Sequence, residues 1–414
     1  MKVGNFSETK NGSRHRVAAT VTWEDCGRPA HDVYFETDER FSDSLTLNPN
    51  AFLLACAIPA MHYGEKRVFM DAEICPELLE GLGTAMSWLR EWYYKPEEGC
   101  LTIETKGLQV PSYDKKAGRA GFFFSGGIDS FATLRANRMH FPPEHPRAIR
   151  DGILVYGLEQ DDPELFTHVL TSLTDVADKA GITLVPVYTN IYLNYRQEDA
   201  THGFKFWGDK FGGAALSAVA HAFARRFDSV SIAATYSTRT IEPWGSHPLL
   251  DPNYSSHDLR ILHDGIRLTR FDKVKLVAGW DVALQNIRVC NRYKHYQAGM
   301  LNCGRCEKCV RTMLALTALG VLERTRAFPE QDVSPELLMK SVDMTKSGYD
   351  VFMKLQYEEL LGPLSAVGRH DLVRVIERKL SHQTASPWKE KMRQFDRKYL
   401  GNNLTKLKRF IFHA

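Results

Sequence analysis

The sequence predicts an α/β protein: a doubly wound parallel sheet carrying a four-cysteine knob, preceded by an N-terminal α/β extension and followed by a helical C-terminal region. Three observations lead there. Short apolar runs alternate with helical patterns between residue 120 and about residue 271. Within that stretch an apolar run passes through Ser125, Gly126 and Gly127 into a helix. Four of the eight cysteines, Cys290, Cys303, Cys306 and Cys309, fall within twenty residues.

The elements follow in order. Residues 14–23 and 32–37 alternate apolar and polar, as half-buried strands do. Residues 50–63 are apolar at helical spacing, and 66–74 read as a strand. A helix is expected over 76–93, with Pro76 at its start and Leu78, Leu79, Leu82, Met86 and Leu89 on one face. Residues 101–108 close this unit as a strand. The Pro, Ser, Asp, Lys and Gly of 111–119 suit a linker. The expected domains are therefore 1–110, 118–322 and 323–414.

In the second of these, strands are expected at 122–124, 153–156, 183–188 and 230–234, and helices at 128–139, 164–180 and 212–227. Such alternation implies parallel pairing with right-handed crossovers, and ligands at the carboxyl ends of the strands. Helices are expected again at 311–322, 335–343, 349–360 and 370–380. A basic stretch with interleaved aromatic residues, 388–412, ends the chain.

Composition excludes little. At 43% hydrophobic and 25% charged it is ordinary for a globular protein, and a net charge of +3 favours no particular partner. No run of 18 apolar residues occurs, so no transmembrane helix is expected, and residues 1–16 lack the apolar stretch of a signal peptide. The expected compartment is the cytoplasm, where clustered cysteines read as metal ligands before disulfides.

The string from Phe122 to Phe131 contains Ser125, Gly126, Gly127, Asp129 and Ser130. Glycines let backbone N–H groups approach a polyphosphate, and a helix N-terminus adds unpaired donors and partial positive charge. The two serines offer hydroxyls, and Asp129 is placed to hold a Mg²⁺ bridging phosphates. The plainer alternative is that Asp129 caps the helix. No G-x-x-x-x-G-K-[ST] occurs in the chain. The Ser-Gly-Gly-x-Asp-Ser string resembles the PP-loop of the ATP pyrophosphatase superfamily, a fold of the HUP kind. That resemblance implies an ATP site whose loop cradles the leaving pyrophosphate, with attack at the α-phosphorus.

Cys303, Cys306 and Cys309 form two C-x-x-C steps sharing Cys306, and Cys290 lies twelve intervening residues upstream. Four thiolates close a tetrahedral Zn²⁺ site; an iron–sulfur cluster also takes four. Gly304 relieves crowding at the turn, and Arg305, Lys308 and Arg311 offset the thiolate charge. With the loop, this arrangement resembles the 7-cyano-7-deazaguanine synthase family, which places one cysteine upstream of C-x-x-C-x-x-C and an Arg two residues beyond it, as Arg311 is here. That family also carries a Lys in K-x-E form before the first zinc cysteine. Lys273 fills that place, with Lys275 where the family has Glu, and is the candidate phosphate contact; a plain surface lysine is the alternative. The chain is larger than that family, by about 110 residues before the loop and about 90 after the cysteines.

Taken together, the expected activity is ATP-dependent adenylation of a carboxylate or carbonyl, with release of pyrophosphate and then attack by ammonia or an amine. Asp129 and Lys273 are the expected catalytic residues, and ATP, Mg²⁺ and Zn²⁺ the expected cofactors. A tRNA thiolase and a non-enzymatic ATP-sensing module are the alternatives. The substrate is expected to be a small-molecule or peptide carboxylate. RNA, a homodimer and a partner protein bound through residues 1–110 stay open. Trp244, Ser246, His247, Asp251, His257, Asp258, Arg260, His263 and Asp264 are read as a substrate-recognition loop.

Overall fold

The computed structural model describes residues 1–109, 118–158, 161–290, 300–344 and 351–381. The expected linker at 111–119 falls mostly, and the basic stretch at 388–412 wholly, outside the described residues. Two compact units are present, Met1–Cys303 with Thr325–Pro329, and Gly304–Arg324 with the residues from Glu330 onward.

The first unit is built on one ten-stranded sheet. Its strands are β1 (Lys2–Asn11), β2 (Arg14–Thr22), β3 (His31–Asp38), β4 (Arg67–Ile74), β5 (Thr102–Leu108), β6 (Ala120–Phe123), β7 (Ile149–Tyr156), β8 (Thr183–Thr189), β9 (Ser229–Ala233) and β10 (Arg260–Asp264). They lie in the order β10-β9-β6-β7-β8-β3-β2-β1-β4-β5. The run from β10 to β8 is parallel throughout. β6 lies between β7 and β9, so strand progression reverses beside it, which is the order of a doubly wound sheet and sets a crevice at that point.

The expected division at 110–118 does not interrupt the sheet. β3 pairs antiparallel with β8, Glu36 opposite Tyr188. Polar side chains clasp the seam: Thr37 Oγ1 donates to Pro186 O at 2.7 Å, and Asn190 bonds the backbone of both Asp32 and Tyr34. β1 was not expected from the sequence. Most of its side chains face solvent, so the strand shows no apolar stripe.

The helices of this unit are α1 (Pro49–His62), α2 (Pro76–Tyr93), α3 (Ile128–His140), α4 (Pro163–Ala180), α5 (Leu193–Thr201), α6 (Gly212–Ala222), α7 (Arg270–Ala278) and α8 (Asp281–Leu284). Every residue of α1 from Asn50 to Met61 is buried, as suits a helix apolar all round. The helix expected over 212–227 is shorter and preceded by a π-helical turn, Phe206–Phe211. Gly245 explains the turn: its N–H donates to Gly208 O at 2.7 Å and its carbonyl accepts from Gly213 N at 2.8 Å. A Cβ on Gly245 would stand 2.8 Å from the Lys210 carbonyl carbon, so only glycine fits there.

At the amino ends of β6 and β7, the fully buried Asp151 accepts from Arg119 Nε and Arg226 Nη2, each at 2.6 Å. Asp151→Ala is expected to destabilise the unit by about 3 kcal/mol, the low end for a broken buried pair, because both guanidinium groups reach solvent. Denaturant unfolding measures this, and a loss below roughly 1 kcal/mol would count against the clamp.

The second unit is helical, as the sequence predicts: α9 (Glu307–Ala318), α10 (Pro335–Ser341), α11 (Val351–Ala366) and α12 (His370–Ser381). α11 packs on α9 and α12. Among the described residues, no helix is long and apolar enough to cross a membrane.

Candidate functional site

β6 ends at Phe123 and α3 begins at Ile128, so the loop between them opens at the crevice beside β9. Gly126 takes φ +74°, a conformation that favours glycine. Its carbonyl accepts from Arg288 N at 2.8 Å, and Arg288 Nη1 reaches Ser125 O at 3.3 Å. Gly127 is the N-cap of α3 with no side-chain cap, and Ser130 Oγ donates to its carbonyl at 3.0 Å. Gly127 N donates to Ser125 Oγ at 3.4 Å, and no side chain caps the first turn of α3, so the helix start offers uncapped backbone N–H groups, the donor pattern an anion needs.

Asp129 is not a cap. It sits one residue inside α3, and its carboxylate accepts from Arg270 Nη1 at 2.7 Å and from Lys273 Nζ at 3.0 Å. Burial pushes the carboxyl pKa up, but Arg270 and Lys273 outweigh it and hold it at about 2. The carboxylate is ionised at neutral pH and its side chain is still 29% exposed. Lys273 is only 2% exposed, so it is no surface lysine; its ammonium also bonds the Ala234 carbonyl just past β9. The two residues singled out in sequence thus meet across 144 positions. Arg270 was missed. Its signal was its spacing three before Lys273 at a helix start, which puts both cations on one face. Thr269 and Asp272 form a capping box that fixes where this helix begins.

The polar stretch 244–264 is not one loop. It contains a 3₁₀ turn, Asp251–Tyr254, and then strand β10. Asp251 is fully buried and accepts from Ser246 Oγ at 2.7 Å and from His263 Nδ1 at 2.8 Å. His247, with its pKa lowered by burial, lies against the Trp92 ring at 4.9 Å. In contrast to Asp251, His257 is exposed and faces Glu77.

Cys290, Cys303, Cys306 and Cys309 are buried, and their sulfurs all lie within 4.8 Å of one another. A tetrahedral zinc tetrathiolate needs sulfurs roughly 3.8 Å apart. Cys306 and Cys309, at the N-terminus of α9, are already 3.4 Å apart. The group can hold a zinc ion. Asn302, fully buried, was not singled out in the sequence. Its Oδ1 accepts from Val289 N and Cys290 N, and its Nδ2 donates to Ile287 O and Ala327 O at 2.6 and 2.8 Å. One amide thus fixes the backbone at Cys290 beside Cys303. Asn302→Ala is expected to speed zinc transfer to a chromogenic chelator by about ten-fold, as loss of a supporting hydrogen-bond partner does. An unchanged rate would remove Asn302 from the centre.

Compared with known proteins, the chain matches no family model, no curated protein and no solved structure.

Proposed function

We propose that this chain is an adenylating enzyme of the PP-loop ATP pyrophosphatase kind. It would cleave ATP to AMP and pyrophosphate to activate a carboxylate or carbonyl, which ammonia or an amine then attacks. The observation that carries the reading is the convergence of Asp129, Arg270 and Lys273 on a glycine loop at the strand-order reversal. On this reading Ser125, Gly126, Gly127 and Ser130 hold the phosphates through backbone N–H groups and hydroxyls. Lys273 and Arg270 neutralise charge that builds on the leaving pyrophosphate. Asp129 is the carboxylate that would hold Mg²⁺, whose role is to screen the phosphate oxygens from the incoming oxygen nucleophile. The chain lacks the P-loop lysine that serves γ-phosphoryl transfer.

Sulfur transfer is the weaker reading. No cysteine lies in the string from Phe122 to Phe131, and Cys56 and Cys75 are buried away from solvent. The test is product analysis with radiolabelled ATP over a panel of carboxylates, alongside pyrophosphate–ATP exchange. AMP and pyrophosphate are expected. ADP as the main product would overturn the proposal, and nucleotide binding with no cleavage across the panel would favour an ATP-sensing module.

A further inference from the structure

Past the carboxyl ends of β8 and β9 the chain enters two long connections, and the C-terminal ends of α1 and α2 meet them there. His62, which ends α1, stacks on Phe206 of the π-helical turn at 4.4 Å. The Tyr94 ring, just after α2, lies 4.1 Å from Lys210 Nζ, and the Tyr93 ring 5.8 Å from it. His62 Nδ1 is 3.5 Å from the same ammonium. The backbone carrying Lys210 is pinned by Gly245 through the contacts described above.

Lys210 is half-buried, and among the described residues no carboxylate forms an ion pair with it. Asp209 and Glu98 are within electrostatic reach, but Glu98 faces Lys95 at 3.6 Å. The hydroxyls of Tyr93 and Tyr94 are buried with no hydrogen-bond partner. An ammonium held only by a ring face and an imidazole, with no carboxylate among the described residues in ion-pair contact, and two orphaned hydroxyl donors each cost free energy, and one oxyanion reaching all three would satisfy them.

We infer that Lys210, with the Tyr93 and Tyr94 hydroxyls, forms a binding site for the oxyanion of a small molecule. The site is assembled jointly by the N-terminal segment and the connections after β8 and β9, which gives residues 1–110 a part in substrate recognition. Burial lowers the pKa of Lys210, and burial followed by the Lys210 charge lowers that of His62 to about 4. His62 is therefore neutral near pH 7 and adds no second cation. The inference rests on the proposed function only for the identity of the anion, the substrate's carboxylate. The oxyanion site itself needs no ATP chemistry.

The test uses the intact chain and pyridoxal 5′-phosphate, an aldehyde that carries an oxyanion. The free amine of Lys210 adds to the aldehyde carbon, a C=N bond forms and the aldehyde oxygen leaves as water. Added borohydride then supplies hydride to fix the adduct as a secondary amine. Peptide mass spectrometry is expected to find Lys210 labelled several-fold faster than exposed lysines such as Lys95, since the site would hold the reagent's oxyanion beside the amine and burial favours the free amine. Succinate is expected to slow the labelling, because a bound carboxylate both blocks the amine and favours its protonated form. Protection by inorganic phosphate in place of succinate would assign the site to a phosphate group instead. Tyr94→Phe, which keeps the ring, is expected to weaken protection by succinate several-fold. Labelling of Lys210 no faster than of Lys95, or protection by neither anion, would overturn the site. Neither result bears on ATP cleavage, so this inference can fail while the proposed function stands.

Discussion

Asp129→Asn is expected to lower ATP cleavage by about two orders of magnitude or more while leaving the protein folded, the loss typical of removing one key electrostatic group. The amide keeps the size of the carboxylate and still accepts one hydrogen bond, but it cannot hold a metal ion or balance two cations. Arg270 can turn to solvent; Lys273 cannot, and would keep only the Ala234 carbonyl. A stability loss of about 2 kcal/mol follows, less than for a fully buried pair because the Asp129 side chain is partly exposed. The loss also has a pH signature. In the folded chain the Asp129 pKa falls from 3.8 to about 2, so its ion pairs contribute fully above pH 4 and the contribution vanishes as pH falls through 2. The deficit of the Asn variant against the parent should therefore be constant near neutrality and close between pH 4 and pH 2. An Asn variant with the parent's rate of pyrophosphate release would make Asp129 structural only. It would also take the strongest support from the phosphate-loop reading.

What could be read in advance divides along physical lines. The buried strands from β6 to β9 were legible because a parallel strand covered on both faces is a bare apolar run between turn residues. β1 and β10 were not: the first is mostly solvated, and the second is a short edge strand whose polar residues resembled a loop. The β3–β8 pairing joins segments about 150 residues apart, and antiparallel register leaves no local mark on either. For the site, residue types bound to backbone geometry came through. Gly126 needs its positive φ and the cysteines need their spacing, so both were visible. Residues defined by tertiary partners did not come through. Arg270 is marked only by Asp129, and Asn302 only by four backbone groups up to 25 positions away. Asp251 shows the opposite error: its polar stretch reads as one loop, whereas the side chain is buried and engaged by Ser246 and His263 between a 3₁₀ turn and β10.

Cys306→Ser is expected to cost folded protein rather than turnover alone. A tetrathiolate leaves no open coordination position, so a zinc ion held there is structural, and its binding free energy is folding free energy. Cys306 is the middle cysteine shared by both C-x-x-C steps and the N-cap residue of α9, so serine there suits a helix cap while removing a sulfur. That separates the two roles. If Cys306 only caps α9, serine should preserve or improve stability, since its oxygen is the better acceptor. If it ligates zinc, the variant should lose metal and much of its soluble yield, because apparent binding free energies for structural zinc run to about 10 kcal/mol or more. The damage should also reach the phosphate loop. Arg288 N bonds Gly126 O, and Cys290 follows two residues later with its own N–H on Asn302. Chelating the metal from the parent protein should therefore weaken ATP binding before the first unit unfolds. The checks are zinc content by elemental analysis, soluble yield, and nucleotide affinity with and without chelator. Iron with visible absorbance in place of zinc would reassign the centre to an iron–sulfur cluster. Soluble, metal-free parent protein with unchanged nucleotide affinity would show that the four sulfurs hold no structural metal at all.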